Sequence, residues 1–339
     1  MKSTRKRAID ILIVVVATGV SLSFDGVLRP SGLAEAVASE ASLDPDPPDS
    51  HSFDRVSQQQ DGRITLTSRL VNVTVTVTDS LGRLVTGLSK KHFEVYDDKV
   101  KQTVSHFSDV DVPISVGVVY DVSASMRERL TRSLRALSRF FETSSDDDDF
   151  FLMAFNERPL LVQDFTTSSR SLLGHLMFVS PKKSTALYDA VYLAVEKALQ
   201  GRHPKKALLV ISDGQDNHSR YSFRDVRNRA RESGVLIYAI AITDPYTDSF
   251  AAYGRDLLDE IARMSGGRSF APHRYDEAEL MQICTRIALE LRHQYTIGFY
   301  PSDTSSQSKW HKVKIKLKPP KGLGRLSISY KDGYQSFVR

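Results

Sequence analysis

From residue 63 onward the apolar positions change period twice. Val71, Val73, Val75 and Val77 alternate with Asn72, Thr74, Thr76 and Thr78, the period of a half-buried strand. Asp79-Ser80-Leu81-Gly82 supplies a turn. Phe93 with Val95, and then Val100 to Phe107, predict two short strands around Asp97-Asp98. From Ile114 to about His293 short apolar runs alternate with helical spacing. The runs are Ile114–Tyr120, Phe150–Phe155, Leu160–Phe165, Ala207–Ser212, Leu236–Ala241 and Arg268–Ala271. The predicted helices are Met126–Thr143, Ser169–Met177, Ala186–Leu199, Phe223–Ser233, Asp256–Met264 and Glu277–Arg292. This alternation predicts an α/β domain with a mainly parallel central sheet flanked by helices. Phe150–Phe155 and Leu160–Phe165 are joined by four residues, too few for a crossover, so that pair is an antiparallel hairpin at one edge.

Past His293 the helical pattern stops, and Tyr295–Tyr300, Trp310–Lys318 and Leu326–Tyr330 read as strands. In the middle one, Val313, Ile315 and Leu317 alternate with Lys312, Lys314, Lys316 and Lys318, a lysine pattern that suits an edge strand. Neither β-rich flank, 63–110 or 294–339, is long enough for a core of its own. The two are expected to pair into one β-sandwich beside an α/β domain over 111–293.

The amino terminus changes the picture of location. Lys2 to Arg7 is basic and precedes an apolar stretch, Ile11 to Phe24; its 14 residues are short of the ~20 that span a membrane. Ala36-Val37-Ala38 offers a cleavage site. Residues 1–38 thus read as a signal peptide or an uncleaved N-terminal anchor. The mature protein is expected to be periplasmic or extracellular, with membrane contact only through such an anchor. Residues 39–62, with Pro45-Asp46-Pro47-Pro48-Asp49, are too polar to pack and read as a disordered linker. Of the formal charge of +5, residues 1–38 hold five basic and three acidic groups, or +2, which leaves +3 for the rest. That is too little to indicate nucleic acid. Cys284 is the only cysteine, so no intrachain disulfide forms, and it is expected in a helical core.

The candidate chemistry lies where the Ile114–Tyr120 strand hands over to a helix. Asp121, Ser123 and Ser125 form an Asp-x-Ser-x-Ser triplet there, at the carboxyl end of a parallel sheet, where open α/β sheets bind ligands. Oxygen-only side chains suit a hard cation such as Mg²⁺. Two further segments stand out: Ser184-Thr185-Ala186-Leu187-Tyr188-Asp189 opens a helix, and Ile211-Ser212-Asp213-Gly214 ends a strand. Each serine or threonine taken singly could be a helix cap, and Ser212-Asp213-Gly214 a plain turn. Asp216 and Asn217 could orient ligands or lie in solvent, and Asp189 reads as structural. The acidic run Asp146 to Asp149 reads as a solvated loop.

With these residues in place, Ile114 to His293 resembles the von Willebrand factor A-type domain. The Ser-Thr-Ala-Leu-Tyr-Asp and Ser-Asp-Gly-Gln-Asp-Asn stretches are similar to those of bacterial members, and the β flanks resemble those of acidobacterial relatives. The resemblance implies a metal-ion-dependent adhesion site at Asp121, Ser123, Ser125, Thr185 and Asp213. Mg²⁺ is the expected ion, with Mn²⁺ or Ca²⁺ as alternatives, and a protein partner is expected to supply a Glu or Asp ligand. It further implies that Glu277–Arg292 is the helix whose shift opens and closes such domains. Neutral hydroxyls leave the bound ion electrophilic enough to accept that carboxylate. The expected function is a non-enzymatic, exported binding module for adhesion or assembly. The alternatives are a metal-dependent hydrolase and a scaffold that binds through its β-sandwich. The nine histidines show no His-Glu-x-x-His pair, and there is no Gly-x-Ser-x-Gly elbow or phosphate-binding loop.

Overall fold

The computed structural model describes residues 70–176, 179–243, 251–273, 276–302, 309–320 and 322–336. The expected signal or anchor (1–38), the linker (39–62) and Met177 lie outside the described residues. The amino-terminal flank forms β1 (Val71–Asp79), β2 (Phe93–Asp97), β3 (Val100–Gln102) and β4 (Val104–Ser108). The central part runs β5 (Ile114–Asp121), α1 (Leu130–Thr143), β6 (Asp149–Phe155), β7 (Pro159–Thr166), α2 (Ser169–Leu176) and α3 (Leu187–Leu199). It continues through β8 (Lys205–Ser212), α4 (Phe223–Ser233), β9 (Leu236–Ala241), α5 (Ala251–Ser265), β10 (Ser269–Phe270) and α6 (Glu277–Arg292). The carboxyl-terminal flank adds β11 (Tyr295–Phe299), β12 (Trp310–Leu317), β13 (Leu326–Tyr330) and β14 (Gly333–Gln335).

The central six strands lie in the order β10-β9-β8-β5-β6-β7, parallel except for the β6–β7 hairpin at one edge. β5 is buried at all eight positions, which is why its sequence is an unbroken apolar run rather than an alternating one. Side chains of β5 alternate between two cores. Val116, Val118 and Tyr120 pack with Leu137 and Phe140 of α1 and with Leu280, Cys284 and Ile287 of α6. Val119 faces Ala190 and Val191 of α3, Val226 of α4 and Leu258 of α5. The sheet is therefore covered on both faces, and helix amphipathicity supplies the cover.

The flanking strands form two four-stranded sheets, β13-β1-β11-β4 and β14-β12-β2-β3, each drawing on both ends of the chain. Their facing apolar positions share one core that includes Val75, Val77, Val95, Ile297, Phe299, Val313 and Ile315. Phe93 of one sheet packs between Phe107 and Tyr295 of the other, at ring separations of 5.6 and 5.2 Å.

Four local expectations are corrected. The stretch Val100 to Phe107 is not one strand: it breaks at Thr103, with β3 in one sheet and β4 in the other, because the chain crosses between the layers there. β12 is not a plain edge strand, since β14 pairs with Trp310–Lys312 and β2 with Val313–Leu317; Lys312, Lys314 and Lys316 are its solvent-facing positions. Helix α1 starts at Leu130, preceded by a 3₁₀ turn at Ala124–Arg129, because the residues ahead of it are tied into the site described below. The acidic run is only partly solvated. Asp148 is buried and accepts hydrogen bonds from the amides of Ile114 and Ser145, both at 2.9 Å, and buried Asp149 pairs with Arg202 at 3.2 Å.

Candidate metal centre

β5 and β8 are neighbours at the centre of the sheet, and the chain leaves them toward opposite edges: β5 is followed by β6 on one side, β8 by β9 on the other. That divergence opens a crevice beyond their carboxyl ends. Asp121 ends β5, Ser212 ends β8, and Asp213 follows directly. The Asp121 carboxylate is held at both oxygens. Oδ1 accepts from the Ser123 amide at 2.8 Å and Oδ2 from the Ser212 hydroxyl at 2.7 Å. The Ser123 and Ser125 hydroxyls are 3.0 Å apart, and Ser125 donates to Asp213 Oδ2 at 2.7 Å. Asp213 Oδ1 accepts from the Gln215 amide at 3.0 Å. Four of the five expected residues thus form one continuous polar chain.

Thr185 is buried on the loop before α3, and that loop is tied to both halves of the chain just described. The Ala124 amide donates to Lys182 O at 2.8 Å. On the other side Asn217 clamps Thr185: its Oδ1 accepts from the Thr185 amide at 2.9 Å, and its own amide donates back to Thr185 O at 3.0 Å. The capping explanation does not describe these residues. Ser123 precedes the 3₁₀ turn without any side-chain cap bond, and Ala186, not Thr185, stands at the amino-terminal cap of α3.

Around this set the structure sorts the remaining candidates. Asn217 is the positioning clamp, while Asp189 is structural, its Oδ1 accepting from the Arg220 and Tyr221 amides at 2.8 Å each. Asp216 also holds backbone, accepting from the Tyr188 amide at 3.2 Å. Sequence reasoning saw Ser212 only as part of a turn. Its signal was a hydroxyl at the last strand position, next to Asp213 and on the strand beside Asp121. Gly214 adopts φ 81°, which an L side chain resists, and a Cβ there would meet Gly254 O at 2.3 Å. The Asp213 loop is thereby seated against α5.

Burial, and then the negative charge of Asp213, push the Asp121 carboxyl up to about 7; the bonds from Ser123 and Ser212 act against this. Two carboxylates in one buried crevice therefore repel one another, and a cation offsets that repulsion. The donor set is oxygen throughout: two carboxylates and the hydroxyls of Ser123, Ser125 and Thr185. It fits a hard divalent ion such as Mg²⁺ and lacks the nitrogen or sulfur that a softer ion prefers. Cys284 takes no part; it is fully buried in the α6 core, which pushes its thiol up to about 12.

The family model of the von Willebrand factor type A domain matches residues 115–283. The chain carries a von Willebrand factor type A domain. The match runs from β5 into the first turns of α6, so the β-sandwich strands lie outside it. Several solved structures are similar. One is an aerotolerance-related membrane protein from Bacteroides fragilis, at 19% identity, covering 52% of this chain and 98% of that one with a TM-score of 0.42. Another is the von Willebrand factor domain of a type V pilus tip protein from Porphyromonas gingivalis, at 14% identity, 54% and 97% coverage and a TM-score of 0.43. A von Willebrand factor type A protein from Catenulispora acidiphila, at 12% identity, covers 79% of this chain and 74% of its own, with a TM-score of 0.44. No curated protein matches the sequence.

Proposed function

We propose that this protein is an exported, non-enzymatic binding module that engages an acidic side chain of a protein partner through a metal ion. The observation that carries the reading is the convergence of buried Asp121, Ser123 and Asp213 with Ser125 at the exposed rim, and the Thr185 loop tied to both sides. Ser123, Ser125 and Thr185 would hold Mg²⁺ through neutral oxygens. Asp121 and Asp213 would hold it directly or through water, since Mg²⁺ keeps part of its hydration shell. When bound, the ion supplies a Lewis-acidic position for a Glu or Asp carboxylate. The von Willebrand factor type A domain supports the protein-binding part of this reading, and the basic, apolar amino terminus supports export. No helix among the described residues is long and apolar enough to cross a membrane.

The test is capture of partners from envelope and secreted extracts by the full chain, in Mg²⁺ against EDTA and beside the Asp121→Ala variant. A partner retained by the unaltered chain in Mg²⁺ alone is the expected result. A partner bound equally under every condition would overturn the metal-dependent reading and move recognition to the β-sandwich. Metal-dependent turnover in a hydrolase screen would overturn the non-enzymatic one.

A further inference from the structure

The β-sandwich contains a second constellation, built from residues 214 positions apart in the chain. Asp97 ends β2 and His311 lies on the adjacent β12; both point into the sandwich, exposed by only 3% and 2%. Asp98, the next residue, occupies a tight turn to β3 with φ 44°, followed by Lys99 at φ 74°. Two-residue hairpins of this kind ordinarily carry Asn-Gly, so an Asp-Lys pair there is conformationally costly. The turn nevertheless brings a second carboxylate to the same imidazole. His311 Nδ1 is 3.2 Å from Asp97 Oδ1 and 3.4 Å from Asp98 Oδ2.

Each carboxylate is anchored through one oxygen and turns the other toward His311. Asp97 Oδ2 accepts from the Tyr334 hydroxyl at 2.9 Å, and Asp98 Oδ1 from the Lys312 amide at 2.9 Å. The imidazole is itself fixed by stacking on the Tyr334 ring, at 5.0 Å and 13°. Lys309 Nζ approaches Asp98 Oδ2 at 3.9 Å from the exposed side.

An ion pair alone accounts poorly for this arrangement. One Nδ1 proton serves one carboxylate, and charge-assisted N–H···O bonds close to ~2.7–2.9 Å, shorter than either separation here. Asp98 lies at the exposed rim beside Lys309, so the buried part of the cluster is Asp97 with His311. A tetrahedral ion with ligands at ~2.0–2.1 Å, in contrast, sets neighbouring ligand atoms about 3.3–3.4 Å apart. The three atoms lie within 4.8 Å of one another. Imidazole nitrogen with carboxylate oxygen suits zinc better than magnesium.

We propose that His311 Nδ1, Asp97 Oδ1 and Asp98 Oδ2 form a second divalent-metal site of zinc type, separate from the Asp121 crevice. Such an ion staples the amino-terminal β2–β3 hairpin to carboxyl-terminal β12 and so locks together the two ends of the chain that build the sandwich. Tyr334 is a positioning residue, since it orients both Asp97 and the imidazole.

The test is titration of the full chain carrying Asp121→Ala with Zn²⁺ by calorimetry, and with Co²⁺ by visible absorption, alongside thermal melts with and without Zn²⁺. The expected result is about one equivalent of Zn²⁺, d–d bands with Co²⁺, and a melting temperature raised by Zn²⁺ but not by Mg²⁺. Asp98→Asn keeps the turn, because Asn tolerates positive φ, and should weaken Zn²⁺ binding roughly tenfold or more, as should His311→Gln. Zn²⁺ binding unchanged by both substitutions, or absent from the parent, overturns the proposal. So does a melting temperature that both substitutions lower equally with and without Zn²⁺, since that is the behaviour of a plain ion pair.

Discussion

Ser125 and Asp213, 88 positions apart, are joined by a 2.7 Å hydrogen bond from the serine hydroxyl to Oδ2. The bond closes the crevice between β5 and β8, and both of its members are expected to bind the ion. Ser125→Ala should therefore separate local stability from metal binding. In EDTA the loss is that of one partly buried hydrogen bond, about 1 kcal/mol. In Mg²⁺ at a hundred times the dissociation constant, the unaltered protein should gain about 2.7 kcal/mol, and the variant much less. Paired thermal melts in Mg²⁺ and EDTA measure both quantities. An equal response to Mg²⁺ in the two proteins would place the ion elsewhere.

Ser212 is not among the expected ligands, yet its hydroxyl donates to Asp121 Oδ2. Ser212→Ala leaves a fully buried carboxylate oxygen without that donor, at a cost of about 1–3 kcal/mol by chemical denaturation. Mg²⁺ affinity should fall less than in Asp121→Ala, because every expected ligand remains. A loss as deep as that of Asp121→Ala would make Ser212 more than a support.

Gly254 of α5 lies so close to the Asp213 loop that a Cβ would stand 2.1 Å from Asp213 O. Backbone cannot give way as a flexible side chain does. Gly254→Ala should cost roughly 1–3 kcal/mol and displace Asp213, lowering Mg²⁺ affinity although the substitution adds a single methyl group. Metal titration of the refolded variant would show an unchanged affinity if the loop were free to retreat.

Glu290 of α6 is fully buried, and its Oε1 accepts from Arg268 at 2.7 Å and Arg286 at 3.0 Å. Glu290→Ala removes the shared acceptor and leaves two guanidinium groups facing each other. Both arginines retain some access to water, so the expected cost is about 2–3 kcal/mol, toward the lower end for a broken buried pair. Denaturant unfolding checks the figure, and a change below ~1 kcal/mol would mean that the arginines find water instead.

Burial lowers Lys205 from 10.5 to about 8, and it likewise lowers Lys331 to about 8. Between about 8 and 10.5 the unfolded chain then holds more protons than the folded one, so stability rises with pH across that window. Tyr238 acts in the opposite sense above its ordinary value of 10.0, since burial raises its pKa in the fold and the unfolded chain ionises first. Thermal stability should therefore climb from about pH 8 to about 10 and then turn down. Lys205→Met should flatten the climb, and an identical profile in that variant would remove Lys205 as a cause.

Much of this architecture was legible in the chain. Unbroken apolar runs such as Val116 to Val119 belong to strands buried on both faces, and the spacing of Leu130, Leu134 and Leu137 is that of a helix lying on a sheet. Valine–threonine alternation in β1 marked the covered valine face, but the other face is open only at Asn72 and Thr74, since Thr76 and Thr78 are buried too. These are local periodicities, and period is a property that neighbours along the chain carry by themselves. Asp121, Ser123, Ser125, Thr185 and Asp213 were singled out as a set through the resemblance to the von Willebrand factor A-type domain; periodicity alone placed them only at strand ends and helix starts.

What the sequence did not determine is everything that depends on distance across the fold. Ser212 is a turn residue until β8 lies beside β5, and Asn217 is a loop residue until it closes on Thr185. β12 reads as a plain edge until β14 pairs with its first part and β2 with the rest. Asp97, Asp98 and His311 carry no spacing that a metal motif would show, because antiparallel pairing of β2 with β12 can join any two segments whose apolar faces match. Periodicity decides which elements form and which face they bury. Only the tertiary packing of those elements decides which polar groups meet, because that depends on strand order and register, which a single segment does not encode.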